Sequence, residues 1–231
     1  MEPGGDVDAF CREQADPSSY LPGQPLPLSE LPEILRGLSF IAILIGLVIG
    51  ASAVGASWQS GTITTILTWE PRRSRVALVR AVVVAVGVFV LVAVLLGVFA
   101  ALFWTATSLH GVTSTPDGWA SDLAGVLARV SALAAAASII GGAIAMIGRN
   151  TAAALGGVFV YLAVFEGVLR GLRPGLGWFL LGDNIAAVVS GRGLSIADGT
   201  LTAGRAGVTV AVYTFGLLAV ATAWFRVRDV Q

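Results

Sequence analysis

Long uncharged stretches alternate with short charged connectors along this chain. Residues 37–69, 81–116, 130–148, 150–165 and 206–225 contain no Asp, Glu, Lys or Arg. About 20 predominantly apolar residues carry a helix across the hydrocarbon core of a bilayer. The pattern therefore predicts five spans, at about 38–57, 77–104, 123–147, 151–169 and 207–225. The second is long enough to tilt or to protrude. Helices are the expected spanning element because each satisfies its own backbone hydrogen bonds in lipid. The ten-residue alternating segments of a membrane β-barrel are not the pattern here. The expected class is an all-α polytopic membrane bundle, with residues 37–228 forming the membrane domain.

The connectors differ in character. Residues 1–36 hold seven Asp or Glu, two Arg and six of the nine prolines. They predict an irregular acidic arm, with a short helix at 29–36 for which Ser29 is the candidate cap. The acidic start does not read as a signal peptide. Residues 58–75 form a polar loop, 105–121 a Ser/Thr/Gly loop, 148–150 a tight turn and 170–206 the longest internal connector. Inside that connector, residues 178–189 are apolar but too short to span. They predict a re-entrant or interfacial helix pair. Asp117-Gly118 signals a turn, with Ser121 or Asp122 as the cap of the third span.

Composition agrees with a membrane protein and removes many chemistries. The chain has 231 residues, 56% of them hydrophobic and only 12% charged. A soluble globule needs more charged surface than that, and a disordered chain would be poor in Leu, Val and Ile. All 14 basic residues are arginine. With no lysine there is no phosphate-binding Walker lysine, no Schiff base and no Ser–Lys dyad. The single His110 and single Cys11 leave no His pair for a metal and no internal disulfide. A net charge near zero argues against nucleic acid as a partner.

The charges suggest an orientation. Arg72, Arg73, Arg75 and Arg80 follow the first span, whereas Arg36 and several carboxylates precede it. Basic residues favour the cytoplasmic side. The 58–75 loop is therefore expected inside, the N-terminus outside and the C-terminus inside. Arg170, Arg173, Arg192 and Arg205 in the 170–206 connector pull the other way.

Within the spans, small residues recur at helical spacing. Gly46 and Gly50 make a GxxxG pair that Ala51 and Gly55 continue, and Ser131, Ala135, Ser138, Gly141, Gly142 and Ala145 smooth one face of the third span. Such stripes let helix backbones approach closely, either within the chain or across a homodimer seam. Ionisable groups at membrane depth are functional candidates. Glu166 and Arg170 stand four apart on the fourth span, in the favourable order for an ion pair. Arg129, about two turns into the third span, is expected to snorkel or to meet Glu166 or Asp122.

The most specific stretch is residues 55–80, GASWQSGTITTILTWEPRRSRVALVR. Ile63, Ile66 and Leu67 fall on one helical face. Trp58 and Trp69 suit the membrane interface, and Pro71 disfavours helix at Glu70. The arginines that follow suit the anionic cytoplasmic leaflet. The segment reads either as a solvated amphipathic loop or as a docking element for a cytosolic partner.

Gly61-Thr62, Ile66-Leu67 and Pro71-Arg72-Arg73-Ser74-Arg75 resemble the loop of the permease subunits of ABC-2 type transporters, particularly the actinobacterial kind. The tail at 225–230, Glu166 in the penultimate span and the 178–189 segment are also similar to that family. The resemblance covers roughly residues 10–231. It implies that the loop is a short cytoplasmic coupling helix touching a separate ATPase, with Gln59, Gly61, Thr62, Trp69, Glu70, Pro71, Arg72, Arg73 and Arg75 as the contacting or positioning residues. It also implies a second permease copy or a relative, a plasma-membrane location and ATP with Mg bound by the partner, not by this chain. Two departures stand out. The family often has an acid where this chain has Ser57. Its members also resemble six-span bundles, so one more span is expected upstream of these five.

The function the resemblance implies is a permease subunit of the export kind that catalyses nothing itself, and its generic apolar pathway favours a hydrophobic or amphipathic cargo over a small ion. A non-transporting membrane protein, such as an immunity factor or scaffold, is the alternative reading, and a membrane enzyme a third.

Overall fold

The computed structural model describes residues 27–62, 72–196 and 199–227. They form α1 (Leu31–Gln59), α2 (Arg73–His110), α3 (Trp119–Gly148), α4 (Thr151–Val160), α5 (Glu166–Leu172), α6 (Leu181–Ser190) and α7 (Ala203–Val227). A π-helical turn, Tyr161–Phe165, joins α4 to α5 into one continuous rod. Single 3-10 turns precede α1 (Leu28–Glu30) and α6 (Pro174–Trp178). Among the described residues, five helical segments are long and apolar enough to cross a membrane: Leu28–Trp58, Ser74–Leu109, Trp119–Gly148, Thr151–Leu172 and Ala203–Arg226. The chain is a multi-pass helical membrane protein.

Because successive spans alternate in direction, the bundle has two ends. The loop end carries the C-terminus of α1, the start of α2, the α3–α4 turn and the C-terminus of α7. The hairpin end carries the start of α1, the α2–α3 connection and everything from α5 to the start of α7.

α3 is the most buried span and packs on α1, α2, α4, α6 and α7. Its small residues are the reason. The backbones of α1 and α3 come so close at Gly46, Gly50 and Gly141 that an added Cβ would fall closer than 3.0 Å to Ala134, Ser138 and Leu47 backbone atoms respectively. Gly142 faces Gly50 across the same crossing, and Gly55 gives the α4 N-terminus at Thr151 room against α1. These five glycines therefore pack inside the chain. Larger side chains fill the wider gap among α1, α2 and α3 at the hairpin end, where Leu28, Leu31, Leu35, Val88, Val92, Val126 and Val130 form a buried cluster. Much of α2 instead faces outward with Val82, Val83, Val86, Val90, Val94 and Leu102, as suits a helix wetted by lipid.

Several local expectations change. Residues 31–36 are not a separate short helix: they are the first turns of α1, because Pro32 sits where the N–H of a helix is unpaired anyway. Ser29 lies in the preceding 3-10 turn and does not cap α1, whose N-cap is Glu30. The third span is not capped by Ser121 or Asp122. Its N-cap is Gly118, at φ 79°, while Ser121 donates back to the Gly118 carbonyl at 2.7 Å and Asp122 is engaged elsewhere. A two-stranded antiparallel hairpin, β1 (Leu194–Ile196) and β2 (Gly199–Leu201), was not foreseen in the long connector. Among the described residues only Asn150 behaves as a side-chain cap, its Oδ1 accepting from Ala152 N at 2.8 Å to start α4.

Candidate functional sites at the two ends of the bundle

At the loop end, the residues flanking the loop are tied into the bundle. Arg80 Nη1 donates to Ser57 Oγ at 2.6 Å, joining α2 to α1, and Ser57 Oγ donates in turn to the Val54 carbonyl at 2.7 Å. Trp58 sets its ring edge-on against Phe225 of α7, with centroids 5.8 Å apart. Arg149, held at φ 53° in the α3–α4 turn, places its guanidinium 4.8 Å from the centre of the Trp58 ring. A cation over a tryptophan face is favourable by roughly 0.5–2 kcal/mol. Thr62 ends the described part of α1's exit, with its hydroxyl 2.8 Å from that of Ser60.

The predicted docking residues divide accordingly. Gly61, Thr62, Arg72 and Arg75 stand exposed or at the surface on either side of the loop. Gln59 ends α1 and Arg73 begins α2. Trp69, Glu70, Pro71 and the apolar positions Ile63, Ile66 and Leu67 lie outside the described residues, as do Cys11 and residues 228–231.

The Ser57 hydroxyl is thus the acceptor for an arginine of the next span. Ser57→Val should leave Arg80 without that acceptor and lower stability by about 1.5–3 kcal/mol, the usual worth of a hydrogen bond to a charged group. Thermal unfolding in detergent reads this out, with Ser57→Asp retaining the acceptor and the wild-type stability.

Among the described residues, the hairpin end holds most of the charged residues within the candidate spans. Arg36 Nη2 donates to both Asp122 oxygens at 2.6 Å and Nη1 to Glu33 at 2.5 Å, so one guanidinium joins α1 to α3. Leu28 N donates to the Val112 carbonyl at 2.9 Å, and Trp119 Nε1 donates to the Leu28 carbonyl at 3.2 Å, docking the chain before α1 onto the α2–α3 connection.

Around α6 the expected Glu166–Arg170 pair is replaced by two others. Glu166 is 3% exposed, and both its oxygens accept from Gly182 N at 3.1 Å, in the first turn of α6. Arg170, on the same side of the rod, reaches Asp183 at 2.7 Å. A carboxylate is stabilised by the unpaired N–H groups and positive dipole end of a helix. That interaction outcompetes an exposed i,i+4 pair, which is worth only ~0.2–0.5 kcal/mol. At the other end of α6, an added Cβ on Gly191, its C-cap, would meet the Arg129 guanidinium at 2.6 Å. Arg129 thus sits at the negative end of the α6 dipole, and its ion pair with Asp122 is long, at 3.8 Å.

α6 is therefore held by opposite charges at its two ends, each contributed by a membrane-spanning helix. Other contacts close the hairpin down. Asn184, fully buried, donates to the Trp178 and Leu180 carbonyls at 3.1 and 2.7 Å. Tyr213 of α7 donates to the Phe179 carbonyl at 2.9 Å, and the Arg205 guanidinium lies 4.1 Å from the centre of the Trp178 ring. Arg205 was weighed in the sequence only as a charge bearing on orientation, and Asp183 and Tyr213 were not read there as partners. The Asp and Tyr carry no local pattern that points across 13 and 34 residues.

Among the described residues no group of three His, Cys, Asp or Glu is placed to hold a metal. No family model, curated protein or solved structure matches this chain.

Proposed function

We propose that the chain is the membrane-spanning permease subunit of an ATP-driven ABC transporter of the export kind, coupled to a separate ATPase through residues 58–75. In this reading the protein lies in the plasma membrane with the loop end in the cytoplasm and the N-terminus outside. The ATPase binds ATP and Mg. A second copy or a related permease completes the pathway. Glu70, Arg72, Arg73 and Arg75 contact the ATPase or position the loop for it.

The observation that carries the reading is how the loop is mounted. Its sequence has the Gly-Thr, Ile-Leu and Pro-Arg-Arg-Ser-Arg pattern, and its flanks are fixed to α1, α2, α7 and the α3–α4 turn. Ser57 and Arg80 join α1 to α2, while Trp58 touches Phe225 of α7 and the arginine of the α3–α4 turn. A push on residues 60–72 therefore acts on the bundle as a body, which is what alternation between two states requires. A loop hinged on two free helix ends would instead absorb the push.

The test is purification in mild detergent with the ATPase encoded beside it. The complex should survive size exclusion and should be lost in an Arg72→Glu/Arg73→Glu variant whose monomer remains folded. A protein that never retains an ATPase, with those substitutions altering membrane insertion alone, would rule the transporter reading out.

A further inference from the structure

A cavity of about 430 Å³ opens among α2, α3, α6 and α7. Its volume falls in the ~300–1,000 Å³ range of small-ligand sites. Phe89 of α2, Leu133, Ala136 and Ile139 of α3, Val188 of α6 and Val210 of α7 give it apolar walls. Among the described residues Arg129 is the one charged residue that lines it. Thr214, also on the wall, spends its hydroxyl proton on the Val210 carbonyl at 2.8 Å.

Arg129 is short of partners. Its Nε and Nη2 are buried atoms with no hydrogen bond among the described residues. The nearest carboxylate oxygen, on Asp122, is 3.8 Å away, and both Asp122 oxygens already accept from Arg36 at 2.6 Å. An arginine in an apolar setting is stable only when an anion or acceptors meet its fork of N–H donors. The α6 dipole supplies part of that, and the two open donors call for more.

Depth identifies the anion. From Arg129 to Ile139 is ten residues of helix, ~15 Å at 1.5 Å per residue. That is half of the ~30 Å hydrocarbon core, the depth occupied by the acyl chains of one leaflet. Side chains lean toward the N-terminus of their helix, which on α3 is the hairpin end, so the guanidinium is displaced toward the headgroups and not toward the bilayer centre. We propose that this cavity binds one anionic phospholipid of the adjoining leaflet, its phosphate on Arg129 and an acyl chain along α3 between α2 and α7. The site is independent of the transport reading and holds for a scaffold as well as for a permease.

The probe is phosphatidylglycerol against phosphatidylcholine of the same chains, added to the detergent-purified full chain and counted by native mass spectrometry. The wild type should retain one phosphatidylglycerol with about tenfold preference, the scale of one charge-assisted fork. Arg129→Gln should bring retention down to the phosphatidylcholine level, Arg129→Lys should keep part of the preference, and Ala136→Trp should exclude both lipids. Arg173→Gln, an exposed arginine of the same end, should change nothing. Equal retention of the two lipids by the wild type overturns the proposal, as does undiminished phosphatidylglycerol binding by Arg129→Gln. A lipid-free mass of two chains, dissociated by Ala136→Trp, overturns it too, because a second copy would then cover the cavity. Should Arg129→Gln fail to fold, the wild-type lipid preference and Ala136→Trp still decide.

Discussion

Gly50→Leu is expected to prevent assembly of the bundle. At this position a bare Cβ already falls closer than 3.0 Å to three backbone atoms of Ser138. Backbone cannot swing aside as a flexible side chain does, so α1 and α3 would have to separate along their whole crossing. Overpacking a well-filled site costs typically 1–3 kcal/mol, and here the insertion meets main chain with four heavy atoms. A loss beyond about 3 kcal/mol is expected. Gly46→Leu and Gly141→Leu should behave alike, since each faces α1–α3 backbone in the same way. Gly87→Leu is the control. Nothing lies within 4 Å of a Cβ at Gly87 on the outward side of α2, and leucine is the better helix former by up to about 1 kcal/mol. Thermal unfolding of the detergent-purified variants should therefore split into two groups: Gly46, Gly50 and Gly141 variants aggregated or unfolded, and the Gly87 variant intact. A stable, monodisperse Gly50→Leu protein would show that these helices do not cross as described.

Removal of the Glu166 carboxylate should have the second largest effect, and a more local one. Glu166→Ala strips the first turn of α6 of its acceptor and removes the negative charge facing the dipole. Hydrogen bonds to charged groups are worth roughly 1.5–3 kcal/mol, and a partly buried charge at a helix end contributes up to about 2 kcal/mol. These overlap, so a loss of about 2–3 kcal/mol is expected. The loss should be confined to the hairpin, because the α1–α3 crossing does not involve Glu166. Hydrogen exchange should accelerate across 174–202 while α1 and α3 stay protected. Glu166→Gln keeps an oxygen acceptor without the charge and should lie between. Gly182→Ala should loosen the same segment but by less, since its Cβ would approach the carboxylate at 2.6 Å and the end of the Glu166 side chain can shift aside. Uniform destabilisation of all spans by Glu166→Ala would contradict the clamp.

The spans were legible in the sequence because uncharged runs of that length have few other uses in a chain this size. Their ends were less so. α1 begins at Leu31, a full two turns before the expected start, because Pro32 reads as a breaker yet is tolerated in the first turn of a helix. That extension is what puts Arg36 on a helix face and lets it reach Asp122, 86 residues away. Glu166 and Arg170 show the limit of local reasoning. Spacing identifies neighbours on one helix and is silent about a second helix whose free N–H groups are the stronger partner. The small stripes were legible as packing surfaces, but their partner is set by the tertiary fold: Gly46 and Gly50 meet Ala134 and Ser138 within the chain. The β1–β2 hairpin was missed because strands of three residues carry too little alternation to register. The cavity beside Arg129 is assembled from four helices and has no sequence signature.

The most direct test of the transport account is a crosslink from the loop itself. Thr62 stands exposed where α1 gives way to the loop, so Thr62→Cys in a Cys11→Ser background offers a unique attachment point there. A benzophenone maleimide on that thiol, irradiated in the native membrane, should form an adduct with a soluble nucleotide-binding ATPase. The Arg72→Glu/Arg73→Glu substitutions should diminish it. Adducts with lipid or membrane proteins alone, or labelling of the same thiol by an impermeant reagent outside intact cells, would place the loop away from any ATPase and contradict the account.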